Sequence, residues 1–281
     1  MWGAGYGETK GTSCLHFQKN KADQLKATLQ KYRRAAIAFS GGADSSLLLK
    51  CALDTLGAGN VLVLFGRSEL LKSSEIERAE SWLLQNGYPR GIALEILQLQ
   101  PLTWKEFVTN TPDRCYFCKH RIYTLFREHM EKRGFSILLD GTNIDDLKGH
   151  RAGLRAIHEL GVKMPLVEAG FDKTDVRSYC HQLGLPVWNQ PSSSCLASRI
   201  PSGVKITSDR LNRVRYWEEG MERFGFVECR VRMDRERDDT VYVEIGAMDF
   251  TAVLHARTHK ALLRFFQNNG VRKVFLDLEG R

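Results

Sequence analysis

Apolar residues fall along this chain in two alternating patterns. Short runs, mostly apolar, stand at 35–39, 61–65, 94–97 and 137–140. Each has the length and composition of a buried strand. Between them the apolar period lengthens to that of a helix. Leu25, Leu29 and Tyr32 share one face over 17–33, and Ile76, Ala79, Leu83 and Leu84 mark a helix over 74–85 that Asn86-Gly87 stops. Asp113 reads as the cap of a helix running to Lys132, and a further helix spans 173–183. Strand and helix in alternation predict a parallel α/β sheet covered on both faces.

The pattern changes near Pro191. Residues 187–201 hold two prolines, four serines and one cysteine, which predicts an irregular, accessible loop and a domain boundary. Beyond it lies a smaller α/β unit. Ser208 reads as the cap of a helix carrying Leu211, Val214, Trp217, Met221 and Phe224. Cys229, Val231 and Met233 alternate with Arg230, Arg232 and Asp234, the signature of a half-buried strand. A strand through Val241, Val243 and Ile245 follows, then a helix with Phe250, Val253, Leu254, Leu262 and Phe265, and a last strand at 274–276. The expected organisation is a flexible tail over 1–15, a large α/β domain over 16–190 and a small one over 191–281.

The junction of the first strand with its helix carries the chemistry. It reads Phe39-Ser40-Gly41-Gly42-Ala43-Asp44-Ser45-Ser46. Two glycines let backbone approach a ligand, the helix start offers free N–H groups to an anion, and Ser40, Ser45 and Ser46 add hydroxyls. There is no lysine to reach a γ-phosphate, so this is not a Walker loop. Asp44 instead places a carboxylate beside the phosphate site, which makes sense if a magnesium ion bridges them. Ser68 closes the second strand, and Gly141, Thr142 and Asp146 follow the fourth. Both stretches fall at the strand ends where ligands bind in open α/β sheets. Arg151 is a further candidate for phosphate.

Composition narrows the setting. The chain is 43% hydrophobic and 26% charged, with a net charge of +8 spread along its length rather than gathered in an arm. That favours small anionic ligands over nucleic acid. No signal peptide or membrane span stands out, and seven scattered cysteines read as reduced thiols of a cytoplasmic protein. Cys195, on the loop at the boundary with Arg199 close by, is the expected nucleophile, exposed and partly ionised. Cys115 and Cys118 form a C-x-x-C in the first turn of a helix, where a thiolate is favoured. Arg230 and Arg232, two apart on a strand, share a face. Side by side they repel unless an anion sits between them or a neighbouring carboxylate, Asp234 or Glu244, pairs them.

The first of these motifs resembles the pyrophosphate (PP) loop, S-G-G-x-D-S, of the ATP pyrophosphatase superfamily, whose members cleave ATP between the α- and β-phosphates. Taken in order, FSGGADSS, DRCYFCK, DGTNIDD, GLPVWNQPSSSCLASRI and the strand with two arginines resemble the LarE-type sulfur transferases of nickel-pincer nucleotide synthesis, which serve lactate racemase maturation. The likeness runs from about residue 20 to 277. It implies a doubly wound domain of the adenine nucleotide α-hydrolase type, with ATP held by Ser40, Gly41, Gly42, Asp44, Ser45, Ser46, Ser68, Gly141 and Thr142. It implies magnesium on Asp44 and Asp146, and Arg230 and Arg232 on the phosphate of a pyridinium dicarboxylate mononucleotide. Cys195 corresponds to the nucleophile and sulfur donor, which is left as dehydroalanine. Two alternatives stay open: a 4Fe–4S cluster on Cys115, Cys118 and Cys195 as sulfur carrier, or a tRNA thiolase of the same superfamily. A homo-oligomer without membrane or nucleic-acid partners is expected.

Overall fold

Seven strands and the helices between them define the computed structural model of the chain, which describes residues 10–88, 92, 94–148 and 152–281, residues 10–19 by backbone alone. Arg151 lies outside the described residues. The strands are β1 (Ala35–Phe39), β2 (Val61–Arg67), β3 (Leu94–Gln98), β4 (Leu138–Asp140), β5 (Arg230–Met233), β6 (Thr240–Glu244) and β7 (Lys273–Leu276). They form two sheets, ordered β3-β2-β1-β4 and β5-β6-β7. The chain divides into two compact units. One holds the residues up to Gly66 with Glu75–Gln98 and Lys119–Gln190; the other holds Arg67–Ser74, Leu99–Cys118 and Pro191–Arg281.

The first unit carries the four-stranded parallel sheet. β1 lies in register between β2 and β4, with Ala36 opposite Leu62 on one side and Leu138 on the other. Ala35, Ala36, Ile37, Val63, Leu64 and Leu139 are fully buried, as expected of strands covered on both faces. Helix Lys10–Tyr32 begins inside the expected tail, so residues 10–15 are helical. No proline interrupts the stretch, and once a helix is nucleated each added turn is cheap. Helix Ser73–Gln85 turns differently from its expected apolar face: Ala79 and Trp82 are buried, while Leu84 is exposed. Trp82 wins because its ring meets Phe39 edge-on and stacks on Tyr88.

In the second unit β6 pairs antiparallel with β5 and parallel with β7. Helix Ser208–Arg223 buries Leu211, Val214, Trp217 and Met221 in the core, while Phe224 just beyond it is exposed. Its cap is Thr207 rather than Ser208, through the Arg210 N–H donating to Oγ1 at 3.2 Å. The expected helix through Phe250 and Phe265 is two, Phe250–Leu254 and Ala256–Asn268, broken at His255, whose backbone is extended (φ −61°, ψ 126°). Among the described residues, no helix is long and apolar enough to cross a membrane.

Candidate functional site

In the first unit the Ser40–Ser46 turn joins β1 to helix Ala43–Leu56. Gly42 caps the helix with extended backbone and has no side chain to accept from its first N–H groups. The turn is braced from within: Ser45 Oγ donates to Gly42 O at 3.2 Å, accepts from Ser40 N–H at 3.2 Å and meets Ser40 Oγ at 3.0 Å. Ser46 Oγ is buried without a hydrogen-bond partner. Gly41 takes a left-handed φ of 75°.

The β4 end completes this site. A Cβ on Gly141 would stand 2.9 Å from Ser45 N, so only glycine lets the two backbones approach this closely. Asp140 fixes the turn: it accepts from Thr142 N–H at 2.8 Å, and from the hydroxyls of Thr142 and Tyr123. Burial pushes its carboxyl up, but Lys119 at 3.5 Å and these hydrogen bonds outweigh that and hold it below the usual range.

Asn143 is the residue that sequence reasoning passed over. It is fully buried, its amide donates to Asp44 Oδ1 at 2.7 Å, and its carbonyl accepts from Asp146 N–H at 3.2 Å in a capping box. It therefore ties together the two carboxylates expected to hold magnesium. Asp44 is pushed above the usual carboxylate range by burial; the Asn143 bond opposes the shift and Asp146 adds to it. Lys173 stands 3.8 Å from Asp146. The G-T-N-x-D-D pattern was the available signal, since Asn caps helices well. Two carboxylates suit Mg²⁺, which takes one or two from protein and the rest from phosphate and water.

The second unit gathers Cys115, Cys118 and Cys195. In the 191–201 run only Ser192 and Ser193 are exposed; Pro191, Ser194, Cys195, Ser198 and Pro201 are half-buried, and Leu196, Ala197, Arg199 and Ile200 are buried. A short turn at Leu196–Arg199 follows Cys195, and Leu196 N–H donates to Leu70 O at 2.9 Å. Cys195 is half-buried against the core of this unit. The expectation of an exposed, partly ionised thiol is therefore corrected. Burial pushes the Cys195 thiol up, and Arg114 offsets only part of that, with Cys115 working against it.

Arg199 favours the thiolate least of the groups acting on it, and its bonds serve another purpose. It pairs with buried Glu218 through Nε at 2.7 Å and Nη2 at 3.1 Å. Its Nη1 donates to Ser194 O and Oγ, each at 2.7 Å, to Ser198 Oγ at 2.9 Å and to Cys195 O at 3.3 Å. Glu218 also takes Lys72 Nζ at 2.9 Å and Val231 N–H at 3.1 Å. This buried network carries the Cys195 backbone. Arg114 adds a bond to Ala197 O at 2.9 Å and reaches Cys115 Sγ at 3.6 Å.

Arg230 and Arg232 share a face of β5, and Glu244, opposite Arg230, pairs with both, at 3.7 Å for Arg230 and closer for Arg232. Arg232 also donates to Ser198 O at 2.8 Å. One carboxylate between two guanidinium groups leaves positive charge over, and Arg230 Nε is buried without a partner. The neighbouring carboxylate and the anion are thus not exclusive. Ser68 lies in the 67–74 stretch of this unit, its Oγ accepting from Leu70 N–H at 3.4 Å. Cys115 is exposed and Cys118 half-buried, and among the described residues no three His, Cys, Asp or Glu side chains are placed to hold one metal ion.

No family model matches the chain. It is similar over most of its length to three proteins. It is 34% identical to an uncharacterised protein of Synechocystis over 93% of this chain and 95% of that one. It is 26% identical to an uncharacterised protein of Methanocaldococcus jannaschii, over 92% and 96%. It is 35% identical to the pyridinium-3,5-bisthiocarboxylic acid mononucleotide synthase of Lactiplantibacillus plantarum, over 92% and 91%. Identity at that level across nearly both whole chains makes this protein a member of the LarE-type synthase family.

Proposed function

We propose that the protein is an ATP-dependent sulfur transferase that turns a ring carboxylate of a pyridinium dicarboxylate mononucleotide into a thiocarboxylate. The observation that carries this is the synthase relative, whose name specifies a pyridinium mononucleotide with two thiocarboxylates. The Cys195 loop and the two β5 arginines, joined through Ser198 O in one unit, support it.

A carboxylate is a poor acyl donor until its oxygen becomes a leaving group. The substrate carboxylate attacks the α-phosphorus of ATP and pyrophosphate leaves. The N–H groups at the start of helix Ala43–Leu56, with the hydroxyls of Ser40, Ser45 and Ser46, bind the departing phosphates. Magnesium on Asp44 and Asp146 would offset their charge. The Cys195 thiolate then attacks the acyl carbon and AMP leaves, giving a thioester. Loss of the Cys195 Cα proton breaks the Cβ–S bond; the electron pair stays on sulfur, the product is a thiocarboxylate, and dehydroalanine remains. Arg230 and Arg232 hold the substrate phosphate.

The alternative, an iron–sulfur cluster on Cys115, Cys118 and Cys195 as the sulfur carrier, is separated from this reading by the fate of the Cys195 sulfur. The test is intact-mass analysis of anaerobically purified protein after turnover. The expected result is one turnover per chain and loss of the mass of hydrogen sulfide from the peptide containing Cys195. Multiple turnovers with unchanged mass and bound iron would overturn it, as would full activity of Cys195→Ala.

A further inference from the structure

Asn143 follows β4 on a segment pinned from two sides. Gly141 sets it against the backbone at Ser45, and Ile144 N–H donates to Phe171 O at 2.9 Å. The Asn143 amide has one orientation that satisfies it, because Nδ2 faces a carboxylate and Oδ1 faces an N–H. Through Nδ2 it takes Asp44 Oδ1 at 2.7 Å, and through its backbone N–H it takes Asp146 Oδ2 at 3.3 Å. One residue thus occupies one oxygen of each carboxylate. A cation between Asp44 and Asp146 is left the second oxygen of each, and so meets both carboxylates singly rather than as chelating pairs. Turning Asp44 to offer both oxygens would strand a fully buried Nδ2 without its partner.

Single oxygens discriminate between cations. Mg²⁺ keeps a near-octahedral shell at about 2.0–2.1 Å and fills most of it with water and phosphate. Ca²⁺, at about 2.3–2.6 Å, gathers roughly six to eight oxygens and gains from a carboxylate that can chelate it. We propose that Asn143 is a positioning residue that selects magnesium over calcium by restricting Asp44 to one ligating oxygen. The inference rests on the assignment of Asp44 and Asp146 to the metal.

Mn²⁺ binding in the presence of α,β-methylene-ATP, read by electron paramagnetic resonance with Mg²⁺ and Ca²⁺ as competitors, tests it on wild type, Asn143→Ser, Asn143→Ala and Asp44→Asn. Serine is itself a good helix cap, so Asn143→Ser keeps an acceptor for Asp146 N–H but carries no amide for Asp44. Asn143→Ala loses both. The wild type is expected to yield its Mn²⁺ to Mg²⁺ at a lower concentration than to Ca²⁺. Asn143→Ser and Asn143→Ala should each narrow that ratio by about tenfold, the lower end for a group that orients a metal ligand. An unchanged ratio in Asn143→Ser, or equal weakening of both competitors, overturns the role of Asn143. So does a ratio that narrows in Asn143→Ala alone, which would assign the effect to the cap. A wild type that yields Mn²⁺ equally to both ions overturns the selectivity. If Asp44→Asn weakens Mn²⁺ binding while the Asn143 variants keep the ratio, the inference fails and the metal assignment stands. Mn²⁺ held as tightly by Asp44→Asn as by the wild type overturns both.

Discussion

The two loops proposed to carry the chemistry are held in opposite ways. At Ser40–Ser46 the backbone is braced by short side chains of the turn itself, and Asn143 and Gly141 press on it from β4. The helix there opens on Gly42, which brings no side chain of its own to the first N–H groups. At Cys195 the backbone carbonyls are what is held: Arg199 takes Ser194 and Cys195, Arg232 takes Ser198, Arg114 takes Ala197 and Arg281 takes Ser192. The first arrangement suits binding of a phosphate chain, where donors must face outward. The second fixes one sulfur atom, where the backbone must not move.

The comparison breaks most sharply at Asp44. Asp44→Asn removes the charge that a magnesium bridge needs, so pyrophosphate release should fall by at least ~100-fold, while alkylation of Cys195 continues at the wild-type rate. Undiminished pyrophosphate release would remove the Ser40–Ser46 loop from the reaction.

The next effect is on stability and belongs to the second loop alone. Glu218→Gln leaves Arg199 facing a neutral partner in a buried place, while Lys72 keeps Glu222 at 2.7 Å, and should cost about 3–5 kcal/mol in denaturant unfolding. Burial pushes the Glu218 carboxyl up, but its bonds to Arg199 and the charge of Lys72 hold it below the ordinary value. Its stabilising share is present above the unfolded-state pKa and is lost as pH falls through the lower folded one. The gap between wild type and variant should therefore close in acid; a gap constant with pH would mean that the pair is only packing.

The smallest effect sharpens the contrast in chemistry. Because burial pushes the Cys195 thiol up, its alkylation rate should climb with pH with a midpoint above that of an ordinary thiol. Arg114→Ala removes the charge that opposes this, so the midpoint should rise further. A midpoint at or below that of free cysteine would show that the loop opens in solution.

The sequence exposed the first loop well and the second poorly. β1, β2 and β4 stand out because strands covered on both faces need continuous apolar runs, and glycine with serine at a strand end marks a phosphate turn. The burial of the Cys195 loop was hidden because proline and serine at 191–194 look solvated. What sinks it is Arg199 meeting Glu218, nineteen residues away on an amphipathic helix whose apolar period says nothing of a buried acid. Leu84 misled for a similar reason: the period shows that a face exists, and the partner ring decides which residue points inward.

The high-lying thiol of Cys195 has a consequence for how the molecule is kept rather than how it reacts. On the proposed chemistry each chain is a reagent consumed by use, so the one sulfur atom it can transfer must survive from translation until a substrate arrives. Thiolates attack peroxides and disulfides far faster than thiols do. A half-buried sulfur kept protonated by its surroundings is a stored reagent with a long shelf life, and a more reactive cysteine would shorten it.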